Sequence, residues 1–409
     1  MTEPVAAGGL TTVELFAGIG CVSQGFAGTG AFQPVLLTDI DPVARDTFVE
    51  NYPDGPPYLV TDVRDVTADT IRNGVDGRDV DGLLGCPPCQ GFSAAGRRDA
   101  ADPQNALLVN FFTLARALRV KFFVMENVPS VIDQELFKRQ ITTMRRWYRV
   151  WHGPLNAALY GLPQTRQRCI VIGYRKDLEV EPSAPPISHL GSRAVFDYKS
   201  GKRLTPSTEN ADAILGPYPR IGHRREAAAG RWLPERLDGL ADLVTVGEAL
   251  GDLPAEGCQD GETLPSSQVA AYAAQLRGAD SAVHNHQPWR HTFAARLAMS
   301  GASEGGSFGP GRSAGYYSQA YTRLHRDGLA RTVTTNFHNA GSGRFTHYAA
   351  GRTLTVREAA RLQGIPDSFR FIGYRSWQER LVGNAFPQHW AQSVAEHIRE
   401  QLANELLLG

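Results

Sequence analysis

The stretch ELFAGIGCVSQGF, residues 14–26, reads as a buried strand, a tight turn and the start of a helix. Gly18 and Gly20 permit the backbone of the turn to approach a ligand closely, and the helix start offers amide groups to an anion. Asp39 follows about twenty residues later at the end of the next strand, where a carboxylate can accept both hydroxyls of a ribose. The GxGxxG pattern is incomplete, so the stretch is compatible with a nucleoside cofactor without establishing one.

Strand-like apolar runs and helix-like spacing alternate through the first 175 residues. Helical spacing lies at 104–119 and 133–148. This alternation predicts an α/β fold with a parallel, doubly wound sheet, which binds ligands beyond the carboxyl ends of its strands. The predicted strands are TTVELF (11–16), PVLLTDI (34–40), VDGLLG (80–85), KFFVMEN (121–127) and RCIVIGY (168–174).

The rest of the chain is less regular. Residues 181–232 are rich in Pro, Gly, Ser and Arg, which is typical of loops or an insertion, and short helix signals follow at 244–252 and 288–299. A helical pattern resumes at 355, and a long closing helix is predicted over 383–407. We therefore expect one domain from 1–180 plus 352–409, and a second, smaller, mostly irregular or β domain at 181–351 with an insertion at 181–240.

Composition and charge are those of an ordinary globular protein, with 42% hydrophobic and 21% charged residues. No apolar run reaches the roughly 18 residues of a membrane helix, so a cytoplasmic protein is expected. The formal charge is zero, but residues 284–352 carry eight arginines against two acids, and 232–262 carry eight acids against one arginine. The basic segment suits contact with phosphates, a solvated surface being the alternative.

Three short segments carry the chemistry: GCPPCQGFS (85–93), MENV (125–128) and QTRQR (164–168). Cys89 follows two prolines that stiffen its loop, and a cysteine thiolate is a nucleophile. Glu126 ends a buried strand, where burial would raise its pKa and let it protonate a ring nitrogen; a carboxylate paired to an arginine is the alternative. Such a set can attack, protonate and hold a flat nitrogenous ring, which indicates an enzyme that adds a group to a pyrimidine.

The pair of cysteines in CPPC also reads as a redox pair or as half of a zinc site. No second CxxC or HxxxH completes a tetrahedral ligand set, so no metal site is predicted. Cys86 is expected to pack as a small apolar residue. Of the two arginines in QTRQR, one could bond a ring carbonyl and the other a phosphate or the carboxylate.

Six segments together resemble the ordered motifs of the bacterial-type cytosine-5 DNA methyltransferases: LFAGIG, GCPPCQGFS, MENVPS, YGLPQTRQR, RTLTVREAARLQGIPDSF and LVGNAFP. The resemblance covers roughly 1–175 and 346–409, and it implies a Rossmann-like fold and S-adenosylmethionine as the methyl donor. It also implies that Cys89 attacks carbon 6 of cytosine while Glu126 protonates nitrogen 3, with Arg168 on the ring oxygen and Arg166 bracing the site. The implied donor-binding residues are Phe16, Gly18, Ile19, Gly20, Asp39, Ile40, Asp62, Leu107 and Asn384.

The resemblance further implies double-stranded DNA as substrate, a target-recognition domain at 181–351 and a flipped-out target base. Residues 91–105 would form a loop that closes over the base, and TVTT (332–335) resembles the threonine-bearing turn beside it. Family members mostly act as monomers, and restriction or phage-defence systems are expected partners. The candidate DNA contacts are Gln90, Ser93, Arg97, Arg98, Arg290, Arg312, Arg323, Arg331, Thr334 and Arg344.

Two other classes of function are compatible with these residues. A tRNA methyltransferase of the same fold is the nearer alternative, although the long basic segment favours duplex DNA. A catalytically silent DNA-binding relative is the other, and the intact Cys89, Glu126, Arg166 and Arg168 argue against it. Cys21 stands where the family usually has glycine.

Overall fold

The protein is described by a computed structural model, which covers residues 9–88, 105–207, 209–215, 239–265, 269–278, 282–309 and 319–403. Its largest element is a seven-stranded sheet, which confirms the predicted α/β fold. Within the described ranges, none of the helices is long and apolar enough to cross a membrane.

The strands of the first half follow the predicted runs closely. The bounds are β1 Leu10–Leu15, β2 Phe32–Asp39, β3 Tyr58–Val60, β4 Gly82–Gly85, β5 Phe122–Asn127, β6 Tyr148–Asn156, β7 Gln164–Thr165 and β8 Gln167–Arg175. Along the sheet the strands lie in the order β3-β2-β1-β4-β5-β8-β6.

The prediction of a wholly parallel sheet is wrong at one edge. Strand β8 runs antiparallel to both of its neighbours, β5 and β6. A buried apolar run such as RCIVIGY does not encode strand direction, and the short connection from β6 to β8 permits antiparallel pairing. Strand β6 itself was not predicted, because YRVWHGPLN mixes polar residues with Gly and Pro and lacks a clear strand pattern.

Two apolar cores cover the two faces of the sheet. Alternate residues of β5 point to opposite faces, so Phe122 and Val124 join one core while Phe123 and Met125 join the other. Helices α1 and α12 contribute to the first core, and α4 and α5 to the second. The helices of this part are α1 Cys21–Ala27, α2 Pro42–Asn51, α3 Ala68–Gly74, α4 Asn105–Leu118, α5 Glu135–Met144 and α12 Gln388–Gln401.

The end of the chain returns to pack on its beginning. Helix α12 lies so close to α1 that a Cβ on Gly25 would stand 2.6 Å from the Cβ of Ala391. The prediction of a single closing helix over 383–407 is wrong, because helix α11 (Arg375–Asn384) ends at Asn384 and α12 begins only after Pro387. A proline disfavours helical geometry in the residue before it, which separates the two helices.

The remaining segment carries short helices and two-residue or three-residue strands. Its strands are β9 Val195–Asp197, β10 Lys202–Leu204, β11 Glu262–Thr263, β12 Ala282–Val283 and β13 Ala330–Arg331. Its helices, and the two that follow it, are α6 Ala211–Leu215, α7 Val246–Leu250, α8 Ala271–Arg277, α9 Phe293–Gly301, α10 Val356–Leu362 and α11 Arg375–Asn384.

Helix α10 joins this segment to the rest of the molecule through buried charges. The Arg361 guanidinium donates to both carboxylate oxygens of Asp367, at 2.8 and 2.5 Å, and also bonds Asp252 at the end of α7. Arg277 on α8 bonds the same Asp252 at 2.6 Å. Because these charges are buried and paired, removing one of them would leave another without compensation.

Candidate active site

The first part of the site lies where β1 and β2 end. One carboxylate oxygen of Asp39 accepts the Gly18 amide at 2.9 Å, and the other accepts the Asp41 amide at the same distance. The Tyr58 hydroxyl donates to the Gly18 carbonyl at 2.6 Å. Burial raises the pKa of Asp39, although the two amide hydrogen bonds oppose that rise. The turn after β1 is therefore held by side chains from β2 and β3.

Open space lies above this turn. A Cβ on Gly18, whose φ is 53°, would meet no atom within 4 Å. Ile40 follows Asp39 with 64% of its surface exposed, and Phe16 is half-buried with a φ of 57°. A carboxylate for ribose hydroxyls beside exposed apolar surface for a purine matches the nucleoside part of S-adenosylmethionine, so the residues present fit that donor.

The other predicted donor-binding residues occupy different settings. Gly20 is required for packing, because a Cβ there would stand 2.5 Å from the Phe48 ring. The Ile19 side chain is buried in the core, so only its backbone can face the turn. Asp62 bonds Arg64 through both oxygens, which lowers the pKa of Asp62.

Leu107 and Asn384 are the last two residues that were predicted to bind the methyl donor. Leu107 is half-buried on α4, and Asn384 is exposed at the end of α11. Leu381 and Val382, on the same helix as Asn384, share an apolar cluster with Ile19. The end of α11 therefore lies near the turn after β1, where the methyl donor is expected.

The second part of the site is an ion pair at the ends of β5 and β8. Nε of Arg168 lies 2.5 Å from Oε1 of Glu126, with only 15% and 13% of the two side chains exposed. Glu126 pairs with Ile170 in the antiparallel register, so Arg168 is its diagonal neighbour on the same face. The reversed direction of β8 is what brings Arg168 to the edge where β5 ends.

Arg166, two residues before Arg168, bonds a distant segment of the chain. It is buried, and its Nη1 donates to the Val333 carbonyl at 3.4 Å. Strand β13 pairs with β7 so that Arg331 lies beside Thr165. Thr334, in the predicted TVTT turn, is exposed just beyond Val333. The structure thus brings the threonine-bearing segment against Thr165 and Arg166 of QTRQR.

The loop that leads toward Cys89 is fixed to the same edge. Nδ2 of Asn127 donates to the Pro87 carbonyl at 3.1 Å. Cys86 packs against the core as predicted, and burial, followed by the charges of Glu126 and Glu14, raises its pKa well above the usual range. A thiol held neutral in this way is a poor nucleophile. The predictions for Cys89, Gln90, Ser93, Arg97 and Arg98 lie outside the described residues.

Two predicted DNA contacts are wrong. Arg323 is buried and donates to the backbone carbonyls of residues 299, 300, 302 and 347. Arg344 is buried with its guanidinium 3.2 Å from the centre of the Tyr198 ring. Both side chains hold the fold and are withdrawn from phosphates, a distinction that residue charge alone does not reveal.

The other predicted contacts in this segment remain predictions. Arg290 is exposed, and Arg331 is half-buried with hydrogen bonds to Gln319 and Thr165. Arg312 lies outside the described residues. Exposed and half-buried arginines retain the capacity to bind phosphate.

Sequence reasoning missed a pair of buried amides that connects the parts of the site. Nε2 of Gln164 donates to Gln363 Oε1 at 2.8 Å, while its own oxygen accepts the Val333 amide at 3.3 Å. Gln363 in turn donates to the Val382 carbonyl at 2.8 Å. Both glutamines stand inside quoted motifs, YGLPQTRQR and RTLTVREAARLQGIPDSF.

The comparisons with known proteins identify the family. A family model described as C-5 cytosine-specific DNA methylase matches residues 10–400. Because this match spans nearly the whole chain, the chain belongs to that family. It is a DNA cytosine-5 methyltransferase, which confirms the resemblance carried by the six motifs.

Individual relatives agree with this assignment. The Type II methyltransferase M1.HphI of Haemophilus parahaemolyticus is 30% identical over 407 residues, covering 97% of this chain and 88% of that protein. The Type II methyltransferase M.DdeI of Desulfomicrobium norvegicum is 28% identical over 432 residues, covering 98% and 91%. A DNA modification methyltransferase encoded within an E. coli prophage shares the fold, with a TM-score of 0.70 at 24% identity over 96% of this chain and 99% of that one.

Proposed function

We propose that the enzyme methylates carbon 5 of a cytosine flipped out of duplex DNA, through a covalent bond between Cys89 and carbon 6 of the base. The Glu126–Arg168 pair carries this proposal, because it sets a proton donor and a fixed cation beside the loop that leads to Cys89. Carbon 5 of cytosine is a weak nucleophile, and covalent addition divides one difficult step into easier ones. Flipping costs roughly a few kcal/mol, which contacts to the displaced base and the backbone must offset.

The residues have separate roles in the reaction. The Cys89 thiolate bonds to carbon 6, and the electrons of the 5,6 double bond shift through the ring to nitrogen 3, where Glu126 supplies a proton. Arg168 holds the ring oxygen, and Arg166 braces the arrangement from the Val333 side. Once carbon 5 is methylated, loss of its proton restores the double bond and the Cys89 thiolate leaves.

The methyl group comes from S-adenosylmethionine when that donor is bound. In this proposal Asp39 accepts its ribose hydroxyls, Ile40 and Phe16 cover its adenine, and the open backbone at Gly18 lets it lie close to the sheet. Asp62 would contact the adenine only after loosening its bonds to Arg64. Ile19 and Gly20 contribute backbone, and Leu107 and Asn384 border the pocket.

Target recognition is assigned to residues 181–351 and catalysis to 1–180 plus 352–409. Arg290, Arg331 and Thr334 are the described candidates for DNA contact, and Gln90, Ser93, Arg97, Arg98 and Arg312 complete the proposal. The Type II names of the relatives favour a role beside a restriction nuclease, with the enzyme acting as a monomer on chromosomal DNA in the cytoplasm.

The test is expression in a host without DNA methylation, followed by bisulfite sequencing of the genome. The wild type should protect cytosines within one sequence context, Cys89→Ser should abolish that protection, and Cys258→Ser should retain it. Protection that survives Cys89→Ser would contradict the covalent route. A soluble wild type that protects no cytosine would contradict the DNA substrate, and RNA would be assayed next.

A further inference from the structure

A basic groove lies at the edge of the sheet opposite the candidate active site. It has a volume of about 660 Å³, which is in the range of small-ligand sites. Its residues come from the segment before β5, the segment before β6 and the end of β8. The cations that line it are Arg116, Arg119, Arg146, Arg175 and Lys176, against the single carboxylate of Asp177.

Most of this positive charge is not neutralised. Arg175 bonds Asp177 at 2.7 Å, which accounts for the one acid. In the part of the chain that the structure describes, no carboxylate lies within ion-pair distance of Arg116, Arg119 or Arg146. Four net positive charges around one concavity attract an anion strongly at moderate ionic strength.

An aromatic ring lies among these cations. Trp147 is 45% exposed, although a tryptophan side chain normally buries most of its surface. The guanidinium of Arg116 lies 5.3 Å from the centre of the ring. An exposed indole beside arginines is the combination that stacks a nucleic-acid base while its phosphates are held.

The position of the groove is fixed by buried contacts. The adjacent Tyr148 is buried, and its hydroxyl donates to the carbonyls of Ala115 at 3.0 Å and Val120 at 3.1 Å. The Arg175 guanidinium donates to the Arg119 carbonyl at 2.5 Å. The three segments that line the groove are therefore tied to each other, so the groove is preformed.

The groove and the candidate active site lie at opposite ends of the same strands. Arg168 is the second residue of β8 and Arg175 is its last, and the seven residue steps between them span about 23 Å. Strand β6 confirms the direction, since it begins at the groove with Tyr148 and ends beside Gln167. A base in the candidate active site and a ligand in the groove would lie at opposite edges of the sheet.

We propose that this groove is a second nucleic-acid site, which binds a nucleotide unit by stacking its base on Trp147 and holding its phosphate with Arg119 and Arg146. The unit belongs to a free nucleotide or to a single strand, and both sources share this chemistry. Such a site would hold a second stretch of nucleic acid while the target cytosine is methylated at the other edge.

The test uses the full-length protein and a fluorescein-labelled oligodeoxythymidine of about twelve nucleotides. Anisotropy is measured with excess unlabelled duplex present to fill the catalytic cleft. Trp147→Ala should weaken binding at least about five-fold, and Arg119→Ala with Arg146→Ala about ten-fold. The matched control, Arg139→Ala with Lys202→Ala, removes two exposed cations elsewhere and should change the affinity less than about two-fold.

Salt and competition then identify the ligand. Contact with three phosphates would weaken binding about 20-fold between about 50 and 200 mM salt. Competition by thymidine monophosphate would show that a free nucleotide suffices, whereas competition by oligonucleotide alone would show that a strand is required. Either result supports the site.

Other outcomes would overturn it. Unchanged affinity for the oligonucleotide in both groove variants excludes the site. If only the double arginine variant binds more weakly, the groove attracts polyanions by charge and does not stack a base. Photocrosslinks from 4-thiothymidine should map to residues 116–119 and 146–147, and crosslinks found only in QTRQR or TVTT would also refute it. Methylation rates measured in parallel should be unchanged by the groove variants, which separates this proposal from the proposed reaction.

Discussion

At the scale of single residues, the proposed reaction depends mostly on the ion pair between Glu126 and Arg168. The structure confirms one of the two alternatives for Glu126, a carboxylate paired to an arginine, and its role as a proton donor stays part of the proposed reaction. The guanidinium beside Glu126 has further donors. Arg168 donates as well to the Gln167 carbonyl at 2.8 Å, which limits its rotation. A fixed fork of donors can hold the carboxylate and a ring oxygen together.

We therefore expect Arg168→Lys to lower the rate of methyl transfer by about ten- to a hundred-fold, since a lysine ammonium lacks the planar fork of donors. The matched control is Arg149→Lys, which alters an arginine on β6 that pairs with Glu181 at the surface. The measurement is the initial rate on duplex DNA, with thermal unfolding to verify the fold. Equal rates for wild type and Arg168→Lys would show that the guanidinium of Arg168 has no role in the reaction.

At the scale of elements, the contact between α1 and α12 packs the end of the chain against the helix that follows the Gly18 turn. Gly25 permits this contact, because a Cβ at that position would lie 2.6 Å from both the Ala391 side chain and the Gln388 carbonyl. A Cβ on Gly301, at the end of α9, would instead meet no atom within 4 Å. The two glycines thus offer the same substitution in crowded and open surroundings.

Gly25→Ala should lower the free energy of unfolding by about 1–3 kcal/mol, because the two helices must move apart. Gly301→Ala should be neutral or stabilising by up to about 1 kcal/mol, because alanine favours helix and meets no obstacle. Urea unfolding of both variants measures the difference. A Gly25→Ala protein as stable as the wild type would show that the contact between α1 and α12 is loose.

At the scale of the whole molecule, buried carboxylates of opposite behaviour set the dependence of stability on pH. Burial alone would raise the pKa of Glu358, but Arg352 beside it holds that pKa below the usual range. Its stabilising contribution is therefore present above the ordinary pKa of glutamate and is lost as the pH falls. Glu14 behaves oppositely, because burial raises its pKa to about 8 and the hydrogen bond from Ser23 only partly opposes that rise.

For Glu14 the folded state holds a proton that the unfolded chain releases near pH 4.5. Stability should therefore fall as the pH rises from about 4.5 to 8. Glu14→Gln keeps an acceptor for the Ser23 amide and cannot ionise. Its stability relative to the wild type should increase by up to about 3 kcal/mol between pH 5 and pH 8.

Urea midpoints at the two pH values provide the measurement, with Glu135→Gln as the control at an exposed glutamate. A Glu14→Gln variant whose relative stability is the same at both pH values would show that Glu14 is ionised throughout. The same measurement reports whether water reaches Glu14 on β1, the strand that precedes the Gly18 turn.

Much of the molecule could be predicted from local sequence. Five of the strands, the turn after β1 and the acid at the end of β2 follow from short patterns that are independent of distant contacts. The assignment of the reacting residues stays a prediction. Errors arose where direction or burial depended on remote partners: the reversed β8, the unrecognised β6, and Arg323 and Arg344, whose charge suggested DNA and whose burial excludes it. Pro387 is visible in the sequence and marks the helix boundary that the prediction of one closing helix missed.

The sequence by itself determined which chemical groups the protein has and the order in which they follow its strands, because motif residues and strand periodicity are local properties. Only the tertiary structure decided which groups meet: Arg168 with Glu126, Arg166 with Val333, and Gln164 with Gln363. It also gathered Trp147 and the arginines of three separate segments into one groove. Residues far apart in the chain become neighbours only when sheet order, strand direction and core packing are fixed together, and no local pattern contains that information.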